Sequence, residues 1–186
     1  MSRVIALVGS LRAASITRRL AETASTVAPE GVEVVIHEGL ADLPFYNEDL
    51  DTPEKLADLG AVTALREAVA GADALLLLTP EYNGTIPAVL KNAIDWLSRP
   101  YGAGAISGKP TAVISSSPSA NAGRWAKEDT AKAAGIAGAS VLDDVDLAIG
   151  GIVAAIDGAH PRENSQIASD IADVVTALTG TALVDA

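Results

Sequence analysis

Short apolar runs alternate with longer amphipathic stretches along this chain of 186 residues. The apolar runs predict five strands, at residues 4–8, 32–36, 74–78, 111–115 and 140–142. Elsewhere apolar residues recur at helical spacing, which predicts helices over residues 15–28, 53–70, 87–98, 123–134 and 165–179. Strands that alternate with helices in this way are typical of α/β proteins with a parallel sheet.

Right-handed crossovers leave few ways to join five such strands. We expect an α/β fold of the flavodoxin-like kind, a three-layer αβα sandwich with a five-stranded parallel sheet in the order 2-1-3-4-5. In that order the winding reverses between strands 1 and 3, and ligands bind beside the carboxyl ends of the strands at such a point. The loops that follow strands 1 and 3 should therefore carry the functional site.

The loop after the first strand is rich in hydrogen-bond donors. Its polar side chains are those of Ser10, Arg12, Ser15 and Thr17, and a helix is predicted to begin near Ser15. Helix N-termini offer unsatisfied N–H groups and a partial positive charge, and arginine adds a fork of donors that matches phosphate oxygens. The pattern favours a phosphate site. The plainer alternative is an ordinary strand–helix turn with Ser15 as the N-cap.

The loop after the third strand is stiffened at its two ends by Pro80 and Pro87. Asn83 and Gly84 between them form a turn pair that tolerates left-handed backbone. A rigid loop that exposes backbone amides beside Tyr82 suits a flat, hydrogen-bonding heterocycle, although an ordinary turn before a helix fits equally well. The hydroxyl-rich loop 115–123 after strand 4 either lines the same crevice or is a solvated connection.

Composition and charge narrow the class of protein. The length predicts one domain over residues 1–186, and the absence of cysteine excludes disulfides, thiolate nucleophiles and thiolate metal sites. With 13 basic and 24 acidic residues, the net charge of −11 argues against nucleic acid and anionic membrane as partners. The first apolar run is too short for a signal sequence or a membrane span, so we expect a cytoplasmic protein.

Other site motifs are incomplete. A dinucleotide fingerprint needs three spaced glycines after strand 1, where only Gly9 is present, and Gly108-Lys109-Pro110 lacks the remaining P-loop residues. His37 and His160 do not have metal-ligand spacing. The acidic stretches 48–54 and 143–146 could hold a cation but are more typical of solvated loops. We therefore expect no metal.

Several separate motifs, in order over about the first two-thirds of the chain, resemble the NADPH-dependent FMN reductases, which include quinone, chromate and azo-dye reductases. These motifs are Gly9-Ser10-Leu11-Arg12 with Ser15, Pro80-Glu81-Tyr82-Asn83, LKNAIDWLSR at residues 90–99, Gly108-Lys109-Pro110, and LPFYNEDL at residues 43–50. Departures from the family pattern occur at Thr17, where asparagine is usual, and at Ser119 and Ala122, where glycines are common.

The resemblance implies a bound FMN. Ser10, Arg12, Ser15 and Thr17 would hold its phosphate, and Glu81, Tyr82, Asn83 and Gly84 would lie against the isoalloxazine, with Ser117 as a further contact. Leu11, Ile16 and Pro80 complete the implied cofactor-binding residues. The resemblance also implies hydride transfer from NADPH or NADH through FMN to a quinone, free flavin or similar acceptor in a ping-pong order, with no catalytic side chain. It further implies a homodimer or homotetramer.

Two other function classes remain open. A flavodoxin-like electron carrier would bind flavin without oxidising pyridine nucleotide, and the net charge of −11 would suit docking to a basic protein. Arg12 and the loop at residues 80–83 match the reductases instead. A hydrolase or nucleotide-binding protein on the same fold would bind no flavin. Trp96 is either a core residue or part of a helix near a subunit interface.

Overall fold

Six strands and seven α-helices make up the described part of the chain, residues 1–184 of a computed structural model. The strands are β1 Ser2–Val8, β2 Val32–Ile36, β3 Ala74–Pro80, β4 Pro110–Ser116, β5 Ser140–Val141 and β6 Leu147–Ile149. The helices are α1 Ile16–Val27, α2 Pro53–Leu56, α3 Gly60–Ala70, α4 Ala88–Leu97, α5 Arg124–Ile136, α6 Ile152–Ile156 and α7 Ser165–Val184. Three single-turn 3-10 helices lie at Leu40–Asp42, Glu48–Leu50 and Pro161–Glu163.

The sheet is parallel and has the order β2-β1-β3-β4-β5, which confirms the predicted fold class. Its fifth position is shared by two short strands. β5 pairs with Pro110 and Thr111 at the start of β4, whereas β6 pairs with Ile114 to Ser116 at its end. The sequence predicted only the first of these strands, because the apolar run of β6 has only three residues, Leu147 to Ile149, and is too short to indicate a strand.

Two apolar cores lie on the two faces of the sheet, and β3 contributes to both. Leu76 and Leu78 pack in the core beneath α1 and α7, while Leu75 and Leu77 pack in the core beneath α3 and α4. All four leucines are fully buried. An unbroken apolar run is therefore needed here, since successive side chains of a strand point to opposite faces.

The predicted helix over residues 53–70 is two helices, α2 and α3, with a break at residues 57–59. The Thr52 side chain caps α2 by accepting from the Lys55 amide, and Leu59 before Gly60 has non-helical dihedral angles. The backbone of Leu59, with φ −103° and ψ 62°, interrupts the helical conformation before α3 begins. The other four predicted helices are present within a few residues of their expected ends. Among the described helices, none combines the length and apolar character needed to cross a bilayer.

Candidate functional site

Three loops emerge together at the carboxyl edge of the sheet. β1, β3 and β4 are parallel neighbours, with Val8 paired to Leu78 and Pro80 paired to Ser116. The segments that follow these strands therefore begin at nearly the same level. This places all twelve predicted site residues at one edge. They are Ser10, Leu11, Arg12 and Ser15 in the first loop, Ile16 and Thr17 at the start of α1, Pro80 at the end of β3, Glu81, Tyr82, Asn83 and Gly84 in the second loop, and Ser117 in the third.

Gly9 brings the first two loops into contact. Its amide donates to the Leu78 carbonyl at 2.8 Å. A Cβ at this position would lie 3.2 Å from that carbonyl, 3.2 Å from Pro80 Cδ and 3.3 Å from Leu90 Cδ2. Glycine is required here for close approach of the chains rather than for a special φ angle.

The N-terminus of α1 has hydrogen-bond donors that lack acceptors within the described residues. Ser15 is the N-cap, since its hydroxyl oxygen accepts from the Arg18 amide at 3.2 Å, and the residue is 2% exposed. The amides of Ile16 and Thr17 have no acceptor within residues 1–184. Because Ser15 Oγ accepts in this bond, its O–H remains free to donate. The cap and the phosphate interpretation are therefore compatible.

Arg12 and Arg18 differ sharply in their surroundings. The Arg18 guanidinium binds Glu22 at 3.2 Å and Glu38 at 2.5 and 2.9 Å. Arg12 is exposed, and the only hydrogen bond of its guanidinium in the described part of the chain is a long one, 3.4 Å, to the Ala14 carbonyl. Thus Arg12 is the guanidinium of the first loop that is available to bind an anion.

The second loop is a tight turn. Tyr82 and Thr85 exchange backbone hydrogen bonds at 3.3 and 3.2 Å, and Asn83 and Gly84 between them have φ angles of 54° and 73°. Two successive left-handed residues define a type I′ turn, for which Asn-Gly is the favoured pair. The turn holds Tyr82 partly exposed at its start.

The third loop is held by its own hydroxyls. The Ser117 amide donates to the Ile149 carbonyl of β6 at 3.1 Å, and the Ser117 hydroxyl lies 3.0 Å from that of Ser119. Ser115 Oγ donates to the Ala122 carbonyl at 2.9 Å. This bond helps to fix Ala122 at a φ of 59°, a conformation that favours glycine. The loop is therefore a hydrogen-bonded structure and not a loose connection.

Comparisons with known proteins decide the family. Residues 2–154 match the family model for NADPH-dependent FMN reductases. The chain belongs to this family. The structure is similar to FerB, a flavoenzyme NAD(P)H:(acceptor) oxidoreductase from Paracoccus denitrificans, with a TM-score of 0.80 and 32% identity over 96% of this chain and 95% of that one.

Curated relatives match a shorter segment of the chain. The chain is 48% identical to a quinone reductase from Pseudomonas putida over 120 residues, which cover 64% of this chain and 62% of the relative. The match thus spans less than two thirds of the relative's length. An azoreductase from Bacillus anthracis, with a TM-score of 0.62 and 19% identity over 94% of this chain and 99% of that one, shares the fold.

The donor set at the N-terminus of α1 suits the phosphate of the family's cofactor. A phosphate monoester carries about −1.5 to −2 charges and three acceptor oxygens. Opposite it the protein offers the Arg12 guanidinium, the free amides of Ile16 and Thr17, and hydroxyls at Ser10, Ser15 and Thr17. No carboxylate among the described residues forms an ion pair with Arg12 to compete for this charge.

Glu81, whose contact with the isoalloxazine stays a prediction, is bound to the segment that leads into α5. Its carboxylate is turned toward α5, where Oε2 accepts from the Ala126 amide at 3.2 Å and from Asn121 Nδ2 at 3.5 Å. Trp125, which is 57% exposed, lies beside Gly84, since a Cβ on Gly84 would be 3.4 Å from the indole. Sequence reasoning missed Asn121, Trp125 and Ala126. The one signal was Gly123, a helix N-cap without a side chain, which leaves the first turn of α5 in need of an outside acceptor.

Two cavities flank the three loops at the carboxyl edge of the sheet. One, of about 350 Å³, lies between the first loop and the segment after β2 and includes Arg12, His37 and Glu38 in its lining. The other, of about 880 Å³, lies between α4 and α5 and includes none of the predicted site residues. Within the described residues, no three His, Cys, Asp or Glu side chains are grouped so as to hold a metal ion.

Acidification should destabilise this protein through His37. Burial lowers the pKa of His37 below its ordinary value, with Glu38 opposing the shift. Below about pH 6.5 the unfolded chain then binds more protons at this residue than the folded protein does, so the free energy of unfolding falls as the pH falls. Denaturant unfolding between pH 7.5 and 5 measures this slope, and the variant His37→Gln should flatten it. An unchanged slope in that variant would contradict the assignment.

Proposed function

We propose that this protein is an FMN-dependent oxidoreductase that passes electrons from NADPH or NADH to a small acceptor such as a quinone or free flavin. One observation carries the proposal: within the described residues of a chain that belongs to the FMN reductase family, Arg12 stands without an ion-pair partner beside the N-terminus of α1. Bound FMN would supply the redox chemistry, taking hydride from the nucleotide and then reducing the acceptor in a ping-pong order.

The chain's own residues would bind and orient the cofactor. Arg12, the hydroxyls of Ser10, Ser15 and Thr17, and the first amides of α1 would hold the phosphate. The rigid turn at Tyr82, Asn83 and Gly84 would support the ring with backbone groups, and Ser117 would border it from the third loop. In this arrangement no side chain acts as a nucleophile, which agrees with the lack of cysteine in the sequence.

The names of the relatives support the choice of acceptor. The Pseudomonas putida relative is a quinone reductase, and the similar Paracoccus denitrificans structure is an NAD(P)H:(acceptor) oxidoreductase. We therefore propose a small-molecule acceptor of the quinone class. We also propose one FMN-binding domain over residues 1–186, a cytoplasmic location and a homodimeric or homotetrameric assembly, as the family resemblance implies.

An electron carrier is the second candidate, and the net charge of −11 favours it because carriers dock to oppositely charged proteins. The visible spectrum of the protein, supplied with FMN and desalted, tests both. Retained flavin that bleaches on anaerobic addition of NADPH or NADH and regains its colour with a quinone would support the reductase. Retained flavin that neither nucleotide reduces would support the carrier. Absence of flavin, with no activity in excess FMN, would overturn both.

A further inference from the structure

The Glu81 carboxylate lies between two of the three loops at the candidate site. Glu81 follows β3 directly, whereas its partners Asn121 and Ala126 belong to the segment that leads from β4 into α5. Farther along the same contact, Trp125 lies against Gly84, and the Thr85 hydroxyl donates to Asp129 at 2.5 Å. The turn of the second loop is thus joined to the first two turns of α5.

Helix α5 needs an acceptor that its own sequence does not provide. Its N-cap is Gly123, with a φ of 73° and no side chain, and its first turn contains no acidic residue. The first N–H groups of a helix lack intrahelical partners, and a negative charge is favourable there. Glu81 supplies both from 45 positions away in the sequence. It does for α5 what Ser15 does locally for α1.

We propose that Glu81 is a positioning residue, whose carboxylate caps α5 and thereby sets the separation of the two loops that border the flavin ring. One loop carries Tyr82, Asn83 and Gly84, and the other carries Ser117. Because the side chain is engaged with α5, its effect on the flavin passes through these loops rather than through direct contact. The flavin part of this inference rests on the proposed function, but the cap itself does not.

Four variants distinguish the effect of the length of the Glu81 side chain from the effect of its charge. Glu81→Gln keeps an acceptor oxygen at the same distance without the charge, and Glu81→Asp keeps the charge on a shorter side chain. Glu81→Ala removes both, and Glu128→Ala removes an exposed carboxylate from α5 as a matched control. If the cap depends chiefly on the length of the side chain, the Gln variant should stay closer to the parent protein and the Asp variant should resemble the Ala variant. If the Ala variant does not fold, comparison of the Gln and Asp variants still shows whether Glu81 caps α5.

The first measurement needs no flavin. Amide hydrogen exchange at Ala126, followed by NMR in the cofactor-free protein, should accelerate about 2- to 30-fold in the Ala and Asp variants, the range expected for loss of a helix cap. The Gln variant keeps the acceptor but loses the charge, so its exchange should accelerate by no more than about fivefold and less than in the Ala variant. The Glu128→Ala control should stay within about twofold of the parent. Exchange in the Gln variant as fast as in the Ala variant, or parent-like exchange in the Asp variant, would overturn the cap.

The second measurement concerns FMN. The Kd for FMN should rise by a similar factor in the Ala and Asp variants, and the visible circular dichroism of the bound flavin should change in these two but not in Gln. If exchange at Ala126 accelerates while the Kd and the spectrum stay unchanged, the cap is structural only and the positioning role is wrong. If the parent protein itself binds no FMN, the proposed function and the flavin part of this inference both fail. The exchange rates at Ala126 then test the cap on their own.

Discussion

Replacing Arg12 with alanine should weaken FMN binding by about 10- to 150-fold, corresponding to loss of one charge-assisted hydrogen-bonding group worth about 1.5–3 kcal/mol. The reason is that Arg12 has no carboxylate partner among the described residues and lies beside the free amides of α1. Calorimetric titration of the cofactor-free protein with FMN measures the effect. The loss should shrink as salt is added, because the contact is exposed.

Two controls make the Arg12 prediction specific. The variant Arg3→Ala makes the same change of charge at Arg3, at the start of β1 on the opposite edge of the sheet, and should leave the affinity for FMN unchanged. Riboflavin, which lacks the phosphate, should bind the Arg12→Ala variant and the parent protein equally. If Arg12→Ala weakens riboflavin and FMN by the same factor, the guanidinium does not act on the phosphate and the assignment is wrong.

Arg18 shows why a basic residue in this loop region cannot be assigned from sequence alone. It lies three positions after Ser15 and also borders the cavity beside the first loop. Its guanidinium, however, is held by Glu22 and Glu38. Glu38 follows β2, so the sequence gives no local sign that it reaches Arg18. The structure therefore separates the two arginines by their partners, and the contrast favours Arg12 as the anion ligand.

Features of the fold that depend on local pattern were predictable. Burial of β3 on both faces requires the run from Leu75 to Leu78, and the handedness of crossovers then limits the strand order. Features that depend on contacts distant in sequence were not. The bond from Glu81 to Ala126 joins residues 45 positions apart, and a single side chain facing a backbone amide leaves no periodic signal.

The division of the fifth strand position between β5 and β6 also depends on contacts distant in sequence. β6 consists of three residues, and its place beside β4 depends on pairing with Ile114 to Ser116. The Ser117 amide extends this pairing by donating to Ile149. The family resemblance predicted Ser117 as a site residue. The strand β6, which holds it, was not predicted at all. The contact of Ser117 with flavin stays a prediction.

The loop after β2 is another long-range feature, and Trp96 of α4 holds it. The Trp96 indole N–H and the Asn92 amide both donate to the Pro44 carbonyl, at 2.8 and 3.0 Å. The Tyr46 ring packs edge-on against the indole at a centroid distance of 5.0 Å, and the Arg66 guanidinium lies 5.5 Å from the indole centroid. Trp96 is fully buried, which places it in the core.

Replacing Trp96 with alanine should therefore lower the free energy of unfolding by about 3–5 kcal/mol, the usual cost of truncating a buried aromatic residue. Urea unfolding followed by far-ultraviolet circular dichroism measures this loss. In Trp96→Phe most of the ring remains and Asn92 still donates to Pro44, so a loss of about 1–2 kcal/mol is expected. Trp125→Phe, at the partly exposed tryptophan, should change stability by less than about 1 kcal/mol. Equal losses in the two phenylalanine variants would mean that the buried indole does not anchor the loop.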